Sequence, residues 1–308
     1  MKHSGGTKVL ALALALLLSG AGFAARAQEA AGAGARSAGD ASKDSELTRI
    51  LDGVAEGVKR YQTGLFRIAF TETLRREELR EDMTPKRSRE FVFETVVLRE
   101  PLSEDEEDFY PHAVRRLKTL DGKPAKPGSK AEREARAGVA SLAFLLPQHR
   151  ARYVFTLEGE ETIGGRRARR IRMLQPSEGE PRVEWERGFV GLSFRVFAPF
   201  VYLIWVDAET FDVLRYESHL AAPMEFDSPR AFGRFGPSRH LRYAAQDYAV
   251  RFRRVQFKDP EQTLLVPDWA EWLTVIEGAR QPRRRDTLRL SDYRRFRSDV
   301  NVVEEPEG

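Results

Sequence analysis

The chain has no cysteine. Disulfides, thiolate zinc sites and cysteine nucleophiles are therefore excluded. Histidine is scarce as well. His3, His112, His149, His219 and His240 form no close pair, and His-Glu-x-x-His does not occur. A Gly-x-Ser-x-Gly elbow and a Ser-x-x-Lys pair are also missing. Past the N-terminal region, no segment is apolar enough to cross a membrane. Nor is there a strong charge of one sign: 51 Lys and Arg stand against 47 Asp and Glu, a net +4. Residues 1–27 hold Lys2, Lys8 and Arg26 and no acid, so the remainder carries only +1. A strongly cationic function for the whole protein is not indicated. A hydrolase working with carboxylates alone stays open, because such pairs meet only in space. The acids are too numerous for the sequence to single out two of them.

What is present begins with a three-part leader. Lys2, His3 and Lys8 form a basic head, residues 9–24 an apolar run rich in Leu and Ala, and Ala25-Arg26-Ala27 a small-residue end. This is the pattern of a cleavable secretory signal peptide, with cleavage expected between Ala27 and Gln28. The run is about 16 residues against the roughly 20 of a spanning helix, and Ser19, Gly20 and Gly22 break it. The expected mature chain, 28–308, is exported, periplasmic or secreted, and has no transmembrane segment. Secreted eukaryotic domains are often rich in disulfides, so a cysteine-free exported chain fits a bacterial periplasm better.

Residues 28–45, rich in Ala, Gly and Ser, read as a flexible lead-in. Leu47, Ile50, Leu51, Val54 and Val58 then recur at helical spacing, with Asp44 and Ser45 as caps. From residue 65 the period changes to two: Phe66, Ile68 and Phe70 mark a strand. Further strands are expected at 91–98 and 113–120, followed by an Asp121-Gly122 turn. A second helix is expected at 131–146, stopped by Pro147. Strands follow at 153–157, 169–174, 182–190, 201–207, 213–219 and 244–257, with Gly164-Gly165 as one of the turns. Residues 264–272 read as a Pro-containing connection or short strand, and 288–302 as the last strand. The expected fold class is α+β: mainly an antiparallel curved sheet or incomplete β-barrel with a few packed helices. One domain is expected over 46–303, with a tail at 304–308.

Some of these segments resemble a known family. Tyr153-Val-Phe-Thr-Leu-Glu-Gly159 is followed by Gly165-Arg166-Arg167-Ala168, then by Ile204-Trp205-Val206-Asp207-Ala208-Glu209-Thr210 and Val213-Leu214-Arg215. This order resembles the periplasmic lipoprotein carriers and their relatives, the LolA-like group, in which a Gly-Arg hairpin precedes a strand ending in Asp-x-x-Thr. The resemblance spans roughly 60–300 and implies an unclosed barrel whose helices cover an apolar cavity for acyl chains. No position here corresponds to a lid-locking arginine of the carriers. Independently of the resemblance, Asp207 and Thr210 suit a tight turn, through side-chain hydrogen bonds to the backbone.

Aromatic residues on the expected strands are the candidate ligand-binding side chains: Phe66, Phe70, Phe91, Phe93, Phe155, Trp185, Phe194 and Trp205. The same alternation also suits an ordinary core, which is the more economical reading. The apolar stretch 191–203 reads as two buried strand halves about a Pro-marked bend rather than a mobile membrane-facing loop. Eight arginines between Arg280 and Arg297 read as a solvated hairpin. Their functional alternative is an anionic headgroup or envelope polymer, since export argues against nucleic acid. The acidic run at 104–108 lacks the glycine and final glutamate of an EF-hand. No cofactor or metal is expected. The expected function is non-enzymatic binding of lipid or lipoprotein acyl chains in the envelope. The alternatives are a protein-interaction or sensor module on the same scaffold and, behind it, a carboxylate hydrolase.

Overall fold

The computed structural model describes residues 38–101, 109–126, 128–129, 131–132, 135, 141–176, 180–188, 191–228, 240–258, 261–279 and 281–296. The leader, the acidic run at 104–108 and the tail 304–308 lie outside the described residues. Helix α1 (Ala38–Gly64) comes first. Strands β1 (Ile68–Leu79), β2 (Pro85–Pro101), β3 (Phe109–Leu120) and β4 (Lys123–Pro124) follow, then a 3-10 turn (Ala143–Leu145) and the one-turn α2 (Pro147–Arg150). Next come β5 (Val154–Ile163), β6 (Arg166–Leu174), β7 (Arg182–Gly188), β8 (Gly191–Phe197), β9 (Phe200–Asp207) and β10 (Val213–Leu220). β11 (Met224–Asp227), β12 (His240–Lys258), β13 (Glu261–Glu277) and β14 (Arg283–Arg295) complete the order.

Twelve strands form one antiparallel sheet in the order β4-β3-β2-β1-β14-β13-β12-β10-β9-β6-β5, with β11 on β12. The sheet is curved and not closed, as expected of an incomplete barrel with few helices. The turn chemistry explains two of its hairpins. Asp121 and Gly122 have φ of 50° and 74°, and Gly164 and Gly165 have 54° and 80°. Two successive positive φ values make the type I′ turn that matches strand twist.

Registered pairs run straight across the sheet and define its inner face. Leu157, Ile171, Ile204, Tyr216, Val250, Ala270, Leu288, Leu74, Phe91 and Leu120 stand opposite one another in turn, from β5 to β3. The residues of this row between Ile171 and Phe91 are all buried. On them α1 lays Ile50, Leu51, Val54, Val58 and Tyr61, each at most 8% exposed, at the spacing that the sequence shows. Each fully buried aliphatic side chain contributes about 1.5–3 kcal/mol. The helix runs across the strands. Glu46 near its start pairs with Arg169 of β6 at 3.1 Å, and the Tyr61 ring meets Phe252 of β12 edge-on at 5.6 Å.

Several elements differ from the sequence expectation. The helix begins at Ala38, so Asp44 and Ser45 lie inside it rather than at its cap, and Thr48 Oγ1 donates back to the Asp44 carbonyl at 2.9 Å. Residues 65–67 form a turn rather than the start of β1, with Arg67 at φ 63° in the left-handed conformation that commonly ends a helix. Leu65 is still 2% exposed, which is why the apolar pattern looked continuous. The helix expected over 131–146 is not continuous: Ala135, Ser141 and Leu142 are non-helical. Pro147 opens α2 rather than ending a helix, because the first helical position needs no N–H donor. Residues 264–272 lie within the 17-residue β13. Pro267 is tolerated there because the β12–β13 register shifts beside it, between Arg251 and Phe252. The arginines at 283–285 open β14, which forms the expected hairpin with β13 but lies inside the sheet, with Arg284, Arg289 and Arg294 exposed.

A close approach fixes the helix to the sheet. A Cβ built on Gly53 would lie 2.4 Å from the Phe211 ring, and one on Gly57 3.2 Å from the Phe211 carbonyl oxygen. Gly53→Ala should therefore destabilise by about 1–3 kcal/mol through overpacking, although the same change in an exposed helix stabilises by about 1 kcal/mol. Urea unfolding checks this; a raised midpoint would refute the packing of Phe211 on Gly53.

Candidate functional site

One pleat beyond the buried row lies a second row on the same face. Phe155, Met173, Tyr202, Ser218, Tyr248 and Trp272 stand opposite one another across β5, β6, β9, β10, β12 and β13. Phe155, Tyr202, Tyr248 and Trp272 are half-buried. Their rings and neighbouring ones form a continuous aromatic band. Tyr153 meets Phe155 at 6.2 Å and Tyr202 at 6.2 Å, Tyr202 meets Tyr216 at 6.0 Å, Tyr216 meets Tyr248 at 5.5 Å, and Tyr248 meets Trp272 at 5.0 Å. Phe144 of the 3-10 turn packs on this band, 5.2 Å from Tyr216 and 6.0 Å from Tyr202. Burial pushes the Tyr202, Tyr216 and Tyr248 hydroxyls well above their ordinary pKa. The band is thus uncharged at any physiological pH.

The row continues into charge. Trp272 pairs with Asp286 of β14, Asp286 with Arg76 of β1, and Arg76 with Arg89 of β2. Asp286 is 5% exposed. Arg76 donates Nε to Oδ1 at 3.0 Å and Nη2 to Oδ2 at 2.9 Å; Arg284 donates Nε to Oδ1 at 2.9 Å and Nη2 to Oδ2. Burial raises the Asp286 pKa, but hydrogen bonds and charge from Arg284 and Arg76 more than offset this and hold it low.

The eight aromatics picked out in the sequence do not converge on one place. Phe70, Phe91 and Phe93 are buried in the core, each at most 2% exposed, with the Arg115 guanidinium 4.0 Å from the Phe93 ring centre. Phe66 lies on the turn after α1. Phe155 belongs to the aromatic band. Trp205 points to the opposite face, where it packs with Ala168 and Leu214, donates its indole N–H to Glu161 at 3.0 Å and lies under Arg215. Trp185 and Phe194 pair across the separate β7–β8 hairpin; their side chains lie outside the described residues. The bend inside 191–203 is present, but its two halves belong to different sheets, β8 with β7 and β9 in the main sheet.

Sequence reasoning missed Phe144, Tyr202, Tyr216 and Trp272 as one group. The signal available was parity: Tyr202 shares a face with Ile204, and Tyr216 with Ser218. Their alignment needs the register. No group of three His, Asp or Glu side chains converges as a metal site among the described residues. A recess of about 410 Å³ lies elsewhere, at the β3–β4 turn, lined in part by Leu120, Pro124, Ala125 and Ala131.

The motif pieces behind the family resemblance do meet. Asp207 Oδ1 accepts from Glu209 N at 3.0 Å, Thr210 N at 2.8 Å and Thr210 Oγ1 at 3.0 Å, while Oδ2 pairs with Arg166 Nε at 2.8 Å. The Gly-Arg turn and the Asp-x-x-Thr turn thus form one polar knot at the end of β6 and β9. Burial raises the Asp207 pKa, but these hydrogen bonds and Arg166 hold it below the ordinary range. Neither Asp207 nor Asp286 has the raised pKa that a general acid needs.

Both depressed carboxyls contribute stability that is complete above the unfolded-state pKa of about 3.9 and is lost as pH falls through the folded-state value. Asp207→Asn should cost about 1–3 kcal/mol at pH 7. It should also flatten the loss of stability below pH of about 4, measured by urea unfolding across pH. An unchanged acid limb would refute the role assigned to this knot.

No family model matches the chain, and no curated protein matches it. Among solved structures the chain is similar to a LolA superfamily protein from Nitrosomonas europaea, at 12% identity and TM-score 0.32, covering 80% of this chain and 94% of that one. It is also similar to an outer membrane lipoprotein-sorting protein domain from Vibrio parahaemolyticus, at 13% identity and TM-score 0.37, covering 82% and 94%. A DUF1329 family protein from Desulfovibrio piger is similar at 10% identity and TM-score 0.34, covering 83% and 94%. At these identities and TM-scores the likeness carries no functional argument, and the fold stands on the strand order and register described above.

Proposed function

We propose that this chain is an exported, non-enzymatic binding protein of the bacterial envelope. Its inner sheet face receives the acyl chains of a lipid or lipoprotein. The observation that supports this most is the aromatic band from Phe155 to Trp272, half-buried on the face that α1 covers only in part. Ligand sites are apolar, with few polar groups, and rings whose hydroxyls stay neutral fit a hydrocarbon chain. Residues 1–27 would be removed on export, and 46–303 would act as one binding domain. No helix among the described residues is long and apolar enough to cross a membrane.

A second reading, a protein-interaction module, draws on the sheet edge. β5 ends the strand order, and Val154 on it is 56% exposed, so a partner strand can add there.

Native mass spectrometry of residues 28–308 from a bacterial periplasm tests the first reading. A co-purifying acyl species at stoichiometric amounts is expected. Tyr202→Ala and Trp272→Ala should each weaken acyl-chain binding by about tenfold or more, the loss of roughly 1.4 kcal/mol of ring contact. A ligand-free mass that lipids and lipopeptides leave unchanged would refute the acyl-binding reading.

A further inference from the structure

We infer that the ligand of the inner face is an anionic amphiphile. Its chain lies along the aromatic band and its carboxylate or phosphate docks beside Arg284 and Arg76. This rests on the acyl-binding reading and adds a polarity to it.

The register carries the inference. Between Trp272 and Asp286 the row changes from indole to ion within a single strand spacing, about 4.8 Å. Arg76 and Arg284 both donate to the one carboxylate of Asp286. Arg284 uses two of its donors on Asp286 and has a side chain 48% exposed. A guanidinium has five N–H donors in a planar fork, which suits a carboxylate or phosphate. Arg284 stands opposite Glu78, and Glu78 opposite Arg87. Arg89 faces the Phe91 ring at 5.3 Å and approaches Asp121 at 3.5 Å. Among these described side chains Arg284 is the guanidinium with donors to spare, two of its five being used on Asp286.

The dimensions agree. From Phe155 to Trp272 the band crosses five strand spacings, about 24 Å. An acyl chain spans about 15 Å in one leaflet of a 30 Å hydrocarbon core. The band is thus longer than such a chain, whose head reaches the arginines from the Trp272 end only. A neutral head gains little there, and a quaternary ammonium is repelled.

The test uses the mature chain and three amphiphiles with the same twelve-carbon tail, each below its micelle concentration: dodecanoate, dodecyl maltoside and dodecyltrimethylammonium. Calorimetry or tryptophan fluorescence reads the affinities. Dodecanoate should bind about tenfold or more tighter than the other two, as expected of a charge-assisted contact. Arg284→Gln should remove most of that preference and leave maltoside binding unchanged, and Arg284→Lys should restore part of it. Equal affinity for the three heads would overturn the polarity and leave the acyl reading standing. Binding of none of them would overturn both. A preference that survives Arg284→Gln would overturn the assignment to Arg284. Inorganic phosphate, a free source of the same charge, should not displace dodecanoate at millimolar concentration. Full displacement would overturn the amphiphile in favour of a free anion.

Discussion

The architecture depends on how much of one sheet face a single helix can cover. The main path from β4 to β5 has ten strand spacings, about 48 Å of width. Helix α1 has 27 residues, about 40 Å of length, and runs across the strands. It buries one transverse row, and in the next Met173 and Ser218 are buried while Phe155, Tyr202, Tyr248 and Trp272 are half-buried. Had the sheet closed, or had a second long helix lain beside the first, Tyr202, Tyr248 and Trp272 would be ordinary core. The half-buried band follows from the mismatch between a wide open sheet and a narrow cover.

That cover must sit in one place, and small residues and turn chemistry decide where. Phe211 rests against Gly53 and Gly57. Its position in turn comes from the Asp207–Thr210 turn, where one carboxylate satisfies three donors and an arginine. Breaking such a pair on one side leaves a buried charge uncompensated, which costs more than the pair contributes net. The knot therefore fixes the geometry of the helix over the sheet in addition to the pH-dependent stability it contributes. The same logic applies at Asp286, where the buried carboxylate is held charged by two arginines on the rim of the band.

The two faces of the sheet use arginine differently. On the outer face Arg215 and Arg251 lie over Trp205 and Trp269, at 4.8 and 4.5 Å from the ring centres. There guanidinium groups cover indoles. On the inner face Arg76 and Arg284 converge on a carboxylate at the end of an aromatic row. Arginine content by itself says nothing of this division. The strands set it, because neighbouring residues alternate between faces.

Local chemistry determined much of this protein without help. The 3.6-residue spacing of Ile50, Val54 and Val58 fixed a helix with one buried side. Asp121-Gly122 and Gly164-Gly165 fixed two tight turns through positive φ, and Asp207-x-x-Thr210 fixed a third through its side-chain acceptor. Period-two alternation fixed an antiparallel, strand-rich fold. Such signals act over a few residues and are readable in order. Which strand lies beside which was decided only by the tertiary structure. β1 pairs with β14 across more than 200 positions of sequence, placing Arg76 on Asp286. The same long-range register sends Trp205 outward, buries Phe70, Phe91 and Phe93, and lines up Tyr202, Tyr248 and Trp272. Pro267 reads as a strand breaker until the bulge beside it is seen. Parity tells which side a residue takes within its own strand, but a row across the sheet exists only once the strands have found their partners.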